Sequence, residues 1–164
     1  MIYKKAALKP DEKVCLELRG LYEQYGYKKY KMSKFEEYDL YVENKNFLVS
    51  DDIITFSDFN GKLMALKPDV TLSIIKKIKG SEDTEKLFYH ENVYRAFKNT
   101  KEVREILQMG LECIGDIGIY ETAEVIMLAS KSLGEISEKY VIDISHMGFI
   151  NGLLDAANVD FGTK

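Results

Sequence analysis

The sequence predicts an α+β fold in which an antiparallel β-sheet is flanked by helices. Two long strand-like stretches, Lys86 to Phe97 and Arg104 to Ile114, are joined by a short polar connection. A hairpin signal, Asn60-Gly61, separates Ile53-Ile54-Thr55-Phe56 from Leu63-Met64-Ala65-Leu66. Helical periodicity brackets both features. Strands that pair through short turns, with helices between the groups, define this class.

The elements follow in order. Pro10 and Asp11 open a helix whose apolar stripe is Val14, Leu18, Leu21, Tyr22 and Tyr25, and Gly26 ends it. Tyr27 to Phe35 is rich in aromatics and reads as strand or extended chain. Asn60 and Gly61 both tolerate φ > 0, which a tight hairpin turn needs. Pro68 opens a second helix with Ile74, Ile75 and Ile78 on one side, together with Thr71. A third helix, about Glu121 to Leu133, puts Val125, Leu128, Ala129 and Leu133 on one face. Val141-Ile142-Asp143-Ile144 reads as a short strand, and the segment after His146 as helix.

Length and composition bound the function. The chain has 164 residues, 46% of them hydrophobic, and no linker or repeat, so residues 1–164 are expected to form a single domain. Charged residues make up 30%, both signs are interspersed, and the net charge is −4. That balance argues against nucleic acid as a partner, because a phosphate backbone calls for a basic face. The N-terminus lacks a signal-peptide core, and no apolar run approaches a membrane span, so the expected location is cytoplasmic. Cys15 and Cys113 sit among apolar neighbours and are read as buried, reduced thiols. No cluster has metal-ligand spacing, and no cofactor is expected.

Strand alternation points to a site. Glu105, Leu107, Met109, Leu111 and Cys113 share one face of the second long strand, which should pack on helices. Arg104, Ile106, Gln108, Gly110, Glu112 and Ile114 share the other. A glycine inside a strand often marks close approach of a ligand or another backbone. On the partner strand Arg95 is expected near Gln108, and Asp69 and Thr71 come from the start of the Pro68 helix. Two acids, an amide, a hydroxyl and an arginine suit a small zwitterion: the acids take an ammonium, the arginine a carboxylate or phosphate. The competing reading is a solvated sheet face with an ordinary Arg95–Glu112 ion pair. For Asp69 and Thr71 it is helix capping. His90 lies on the other strand face from Arg95 and is read as structural, and His146 as a packing residue.

In family order, five segments resemble the class II aminoacyl-tRNA synthetase core of the histidyl type. Tyr25-Gly26-Tyr27 followed by Phe35-Glu36 is similar to the first class II motif, used for dimerisation. Leu66-Lys67-Pro68-Asp69-Val70-Thr71 resembles a segment whose acid and threonine hold the histidine amino group. Leu87-Phe88-Tyr89 through Val93-Tyr94-Arg95 resembles the strand of the second motif, ending in its arginine. Arg104 to Glu112 resembles the returning strand, whose glutamine and glutamate contact the amino acid. Ile144-Ser145-His146-Met147-Gly148 resembles a later segment. The resemblance implies a class II synthetase-like fold, truncated to the N-terminal part of the core. It also implies histidine bound by Asp69, Thr71, Arg95, Gln108 and Glu112, with Arg104 as possible support and no catalytic residue.

Departures from the pattern shift the implied function. Phe97 stands where the synthetases have a glutamate, Lys98 where they have an arginine, and Lys67 replaces an arginine. Asn99 to Val103 lacks the glycine and basic residues used near ATP, and Ser33 holds a proline position. A third motif has no counterpart. This combination resembles the non-catalytic relatives that serve as regulatory subunits of ATP phosphoribosyltransferase in histidine biosynthesis. The partner would be the catalytic subunit, histidine the signal, and the first motif a homodimer contact. The alternative is a fragment of a histidyl-tRNA synthetase catalytic domain, a ligase.

Overall fold

The computed structural model describes residues 8–43, 53–78, 83–97 and 100–158. The first helix, α1 (Pro10–Gln24), starts where expected. Pro10 lies in its first turn, where a missing N–H costs nothing, and Glu12 accepts from the Lys9 backbone N–H at 2.8 Å. Leu18 and Tyr22 are buried, with Val14, Leu21 and Tyr25 packed beside them. Gly26 leaves the helix at φ +82°, a conformation that favours glycine.

Among the described residues six strands form two three-stranded sheets. In the first, β1 (Lys28–Lys29) pairs parallel with β5 (Glu85–Phe97), and β5 pairs antiparallel with β6 (Glu102–Ile114). In the second, β4 (Leu63–Leu66) lies between β2 (Phe35–Glu37) and β3 (Thr55–Ser57), antiparallel to both. The extended stretch after α1 thus divides between the sheets, and the short β1 pair is parallel.

The hairpin between β3 and β4 is confirmed with a different turn. Asp58 N–H donates to the Lys62 carbonyl at 2.9 Å and Gly61 N–H to the Asp58 carbonyl at 3.1 Å, with Gly61 at φ +79°. This is a three-residue loop closed by a left-handed residue, not a two-residue turn. The Asp58 carboxylate holds it by accepting from Asn60 N–H and Lys62 N–H, both at 2.8 Å.

The remaining helices are α2 (Asp39–Glu43), α3 (Thr71–Ile78), α4 (Ile119–Ile136) and α5 (Met147–Ala156). The outward face of β6, with Met109, Leu111 and Cys113, packs with Phe88 on α1 and α4, where Leu128 is fully buried. The opposite face packs Leu87 and Val93 on Val70 and Ile74 beside α3. A third cluster, Leu40, Tyr41, Ala65 and Leu72, joins the second sheet to α2 and α3. Ile75 is exposed rather than buried with Ile74.

Two further expectations fail. Val141 to Ile144 forms no strand, and Val141 and Ile144 are 84% and 65% exposed. Among the described residues no strand lies beside them to accept their hydrogen bonds. Both cysteines are free but half-buried rather than buried.

Gly110 has a clear role. It lies directly opposite Tyr89, and a Cβ there would fall 2.5 Å from the tyrosine oxygen and 2.7 Å from Cζ. The close neighbour marked by this glycine is thus a tyrosine ring. Gly110→Ala should destabilise the chain by about 1–3 kcal/mol, as overpacking does. Urea unfolding would read the loss, and Gly110→Ala with Tyr89→Leu should recover most of it.

Candidate functional site

The site is built around the connection between β4 and α3, which is tied down at successive residues. Lys67 N–H donates to the Lys34 carbonyl at 3.1 Å, and the Lys67 carbonyl accepts from Tyr94 N–H at 2.9 Å. The Pro68 carbonyl accepts from Arg95 Nε at 3.2 Å. Asp69 Oδ1 accepts from Leu72 N–H at 3.1 Å, and Thr71 Oγ1 donates to Glu112 Oε1 at 2.5 Å. Lys67 Nζ, on a side chain with no solvent exposure, reaches Glu91 Oε2 at 3.2 Å. The loop therefore lies along one face of the β5–β6 ladder.

Cross-strand register settles which side chains share that face. Leu87 lies opposite Glu112, Tyr89 opposite Gly110, Glu91 opposite Gln108, Val93 opposite Ile106, and Arg95 opposite Arg104. Directly opposed residues project to the same side. Gln108, Glu112, Arg95 and Arg104 thus share a face, and α3 brings Asp69 and Thr71 to it.

The register also corrects the expected neighbours. Arg95 is not beside Gln108: four residues of strand separate their positions, roughly 13 Å at about 3.3 Å per residue. Its guanidinium binds the loop through Pro68 instead. Arg104 lies at the turn end, where Nη2 and Nε bind Glu102 at 2.6 and 3.0 Å and the guanidinium covers the Phe97 ring at 4.9 Å. Asp69, Thr71 and Glu112 gather at the other end of the face. Asp69 caps the start of α3 while its charge acts on Glu112. Lys98 and Asn99 lie outside the described residues.

The electrostatics of that corner are one-sided. Neither Asp69 nor Glu112 forms an ion pair among the described residues. Burial raises the Glu112 carboxyl above the ordinary range and the Asp69 charge adds to this, while the Thr71 hydroxyl opposes it. Burial, helped by Glu112 and Asp69, pushes the Tyr89 phenol up to about 12, so it stays a donor at neutral pH. Gln108 makes no side-chain hydrogen bond among the described residues. Two acids with no ion-pair partner among the described residues and a neighbouring hydroxyl can receive an ammonium group, and the Gln108 amide lies four residues along the strand on the same face.

A raised carboxyl favours the proton-bound folded state. Glu112 thus contributes stability that is complete below its ordinary value of 4.5 and is lost as pH rises through its raised value. Glu112→Gln should flatten this part of the stability profile above pH 4.5, read by urea midpoints across pH.

Glu91 and Lys67 form a buried-edge ion pair that strand alternation alone does not reveal. Glu91 shares period two with Tyr89 and Arg95, so its face was readable, but the complete burial of Lys67 depends on tertiary packing. Glu36 is a second such residue: its carboxylate accepts from Tyr41 Oη at 2.5 Å and Ser73 Oγ at 2.7 Å, tying β2 to α3. His146 precedes α5 with no side-chain cap bond.

The fold and this face define a class II synthetase-like core. Its shape is similar to a histidine–tRNA ligase subunit from Alicyclobacillus acidocaldarius, with a TM-score of 0.73 and 26% identity, covering 99% of this chain and 48% of that one. The histidyl-tRNA synthetase family profile matches residues 5–163, and the chain belongs to that family. The histidine–tRNA ligase of Methanocaldococcus jannaschii is 30% identical over 148 residues, 87% of this chain and 36% of the ligase. The ATP phosphoribosyltransferase regulatory subunit of Halothermothrix orenii is 30% identical over 154 residues, 90% of this chain and 37% of the subunit. The chain thus spans little more than a third of the length of these relatives. Among the described residues no helix is long and apolar enough to cross a membrane.

Proposed function

We propose that this chain belongs to a non-catalytic regulatory subunit of ATP phosphoribosyltransferase and that Asp69, Thr71, Gln108 and Glu112 receive histidine. The observation that carries the ligand class is the acidic pair Asp69 and Glu112 beside Thr71, with Gln108 farther along the same strand face. Arg95, tied to Pro68, orients the loop that bears Asp69 and stands ready for a carboxylate. Phe97 supports binding without activation: an apolar ring under Arg104 occupies the place of a synthetase acid. The catalytic subunit is the partner, the Tyr25–Glu36 region a homodimer contact, and the cytoplasm the location.

The equal similarity to the M. jannaschii ligase favours a second reading, a fragment of a histidyl-tRNA synthetase. Two measurements separate them. Co-purification with a phosphoribosyltransferase catalytic subunit, with histidine inhibiting only the complex, supports the regulatory role. Histidine-dependent ATP–pyrophosphate exchange by the longest native form would overturn it.

A further inference from the structure

β6 is paired along one edge. Its 13 residues lie against β5, and among the described residues no strand lies along its other edge. The N–H and C=O groups of such an edge are a template for another strand, and proteins blunt it with proline, lysine, a bulge or a short strand. β6 is long, holds no proline or lysine, and its register with β5 skips no residue. Val103 and Leu107 are also 62% and 53% exposed along it.

We propose that β6 pairs antiparallel with β6 of a second copy about a two-fold axis at Gln108, joining two three-stranded sheets into one. Symmetry is the first argument. An isologous contact uses the same patch on both copies, and two identical antiparallel strands are related by a two-fold axis perpendicular to their sheet. Charge is the second. Such an axis keeps each strand face with itself, and the register centred on Gln108 overlaps all 13 residues. That register sets Arg104 of one copy opposite Glu112 of the other, once at each end, with Ile106 opposite Gly110 and Leu107 opposite Met109. Slid one pleat repeat in one direction, Glu102 opposes Glu112. Slid in the other, Arg104 and Glu112 both oppose isoleucines, Ile114 and Ile106. Glu105 is already held toward β5, by Asn92 Nδ2 at 2.6 Å and Tyr94 Oη at 2.9 Å.

The pairing brings Arg104 of the second copy to the Asp69–Glu112 corner. Directly opposed side chains on an antiparallel pair have Cβ atoms about 5 Å apart, well within the reach of arginine and glutamate. The Arg104 pair with Glu102 is exposed, at 53% and 54% for the two side chains, and such pairs contribute little, so exchanging it for Glu112 costs little. Arg95, the arginine expected beside Gln108, is tied to Pro68 instead. Two acids and one arginine match the ammonium and carboxylate of a free amino acid. The second copy thus supplies a cation that the corner lacks among the described residues. This last step rests on the histidine reading; the pairing of the strands does not.

The test leaves histidine out, so its failure and the failure of the histidine reading stay separate. Sedimentation velocity of the whole chain over a range of concentrations gives the strength of self-association. Arg104→Glu sets like charges opposite each other at both ends and should weaken it by about tenfold or more, with the circular dichroism spectrum unchanged. Added salt should weaken the parent more than Arg104→Gln. Gln108→Cys, in a chain with Cys15→Ser and Cys113→Ser, should cross-link to its own copy under mild oxidation, because a residue on the axis faces itself within disulfide reach. Val103→Cys in the same background, far from the axis, should not. This pair of variants separates the β6 contact from one through Tyr25–Glu36. A monomer at every concentration would leave the edge to some other chain and overturn the proposal. Association indifferent to Arg104→Glu would overturn it too, as would a Gln108→Cys cross-link no stronger than that of Val103→Cys.

Discussion

Replacing Glu112 with glutamine is expected to weaken histidine binding by about 10- to 100-fold, measured by titration calorimetry. A hydrogen bond to a charged group contributes about 1.5–3 kcal/mol, and each 1.4 kcal/mol is about tenfold in Kd. Glutamine keeps the shape of the side chain and an oxygen that accepts from Thr71 Oγ1. The docking of α3 on β6 should therefore survive, with an unchanged circular dichroism spectrum. What is lost is the charge proposed to meet the ammonium group. Gln108→Leu should have a smaller effect, because its amide would contribute a neutral bond. Binding by Glu112→Gln at wild-type strength would move the amino-acid seat away from this corner.

How much of this was readable beforehand depends on the range of the interaction. The long strands were legible because period two holds for a dozen residues on each. Their face assignment follows from alternation once the ladder is antiparallel, and Gln108 and Glu112 do share a side. The distance from Arg95 to Gln108 was not legible. Register along the ladder is set where the turn closes, and β6 begins at Glu102, two residues before the bound read from sequence, while β5 ends at Phe97 as read. Val141 to Ile144 shows the converse limit. Its β-branched run has strand propensity, but a strand needs a neighbour. Cys15 and His90 lie 75 residues apart, and only the packing of α1 on the sheet brings them together.

Lys67→Ala should be the most damaging single change to stability, by about 3–5 kcal/mol, the range for breaking a buried ion pair. The Lys67 side chain has no exposure, while the Glu91 side chain retains 19%, so solvent can recover part of the stranded carboxylate and the lower half of the range is expected. For a chain of this size the fall in Tm is on the order of 10 °C. Alanine also leaves a void where a four-carbon stem packed, between a loop hydrogen-bonded to Lys34 and to Tyr94. Lys67→Met refills that void but still leaves Glu91 unpaired, so it should cost less than alanine and more than the double variant Lys67→Met with Glu91→Met. The double variant should return to within about 1–2 kcal/mol of the parent, since apolar replacement of a whole buried pair is often neutral. Urea unfolding of the four proteins completes the comparison. If Lys67→Ala costs no more than an exposed pair would, about 0–1 kcal/mol, the lysine is not what holds the Asp69 loop against the sheet. A deep loss that the double variant repairs would show that the pair fixes the loop through its mutual satisfaction rather than through either charge alone.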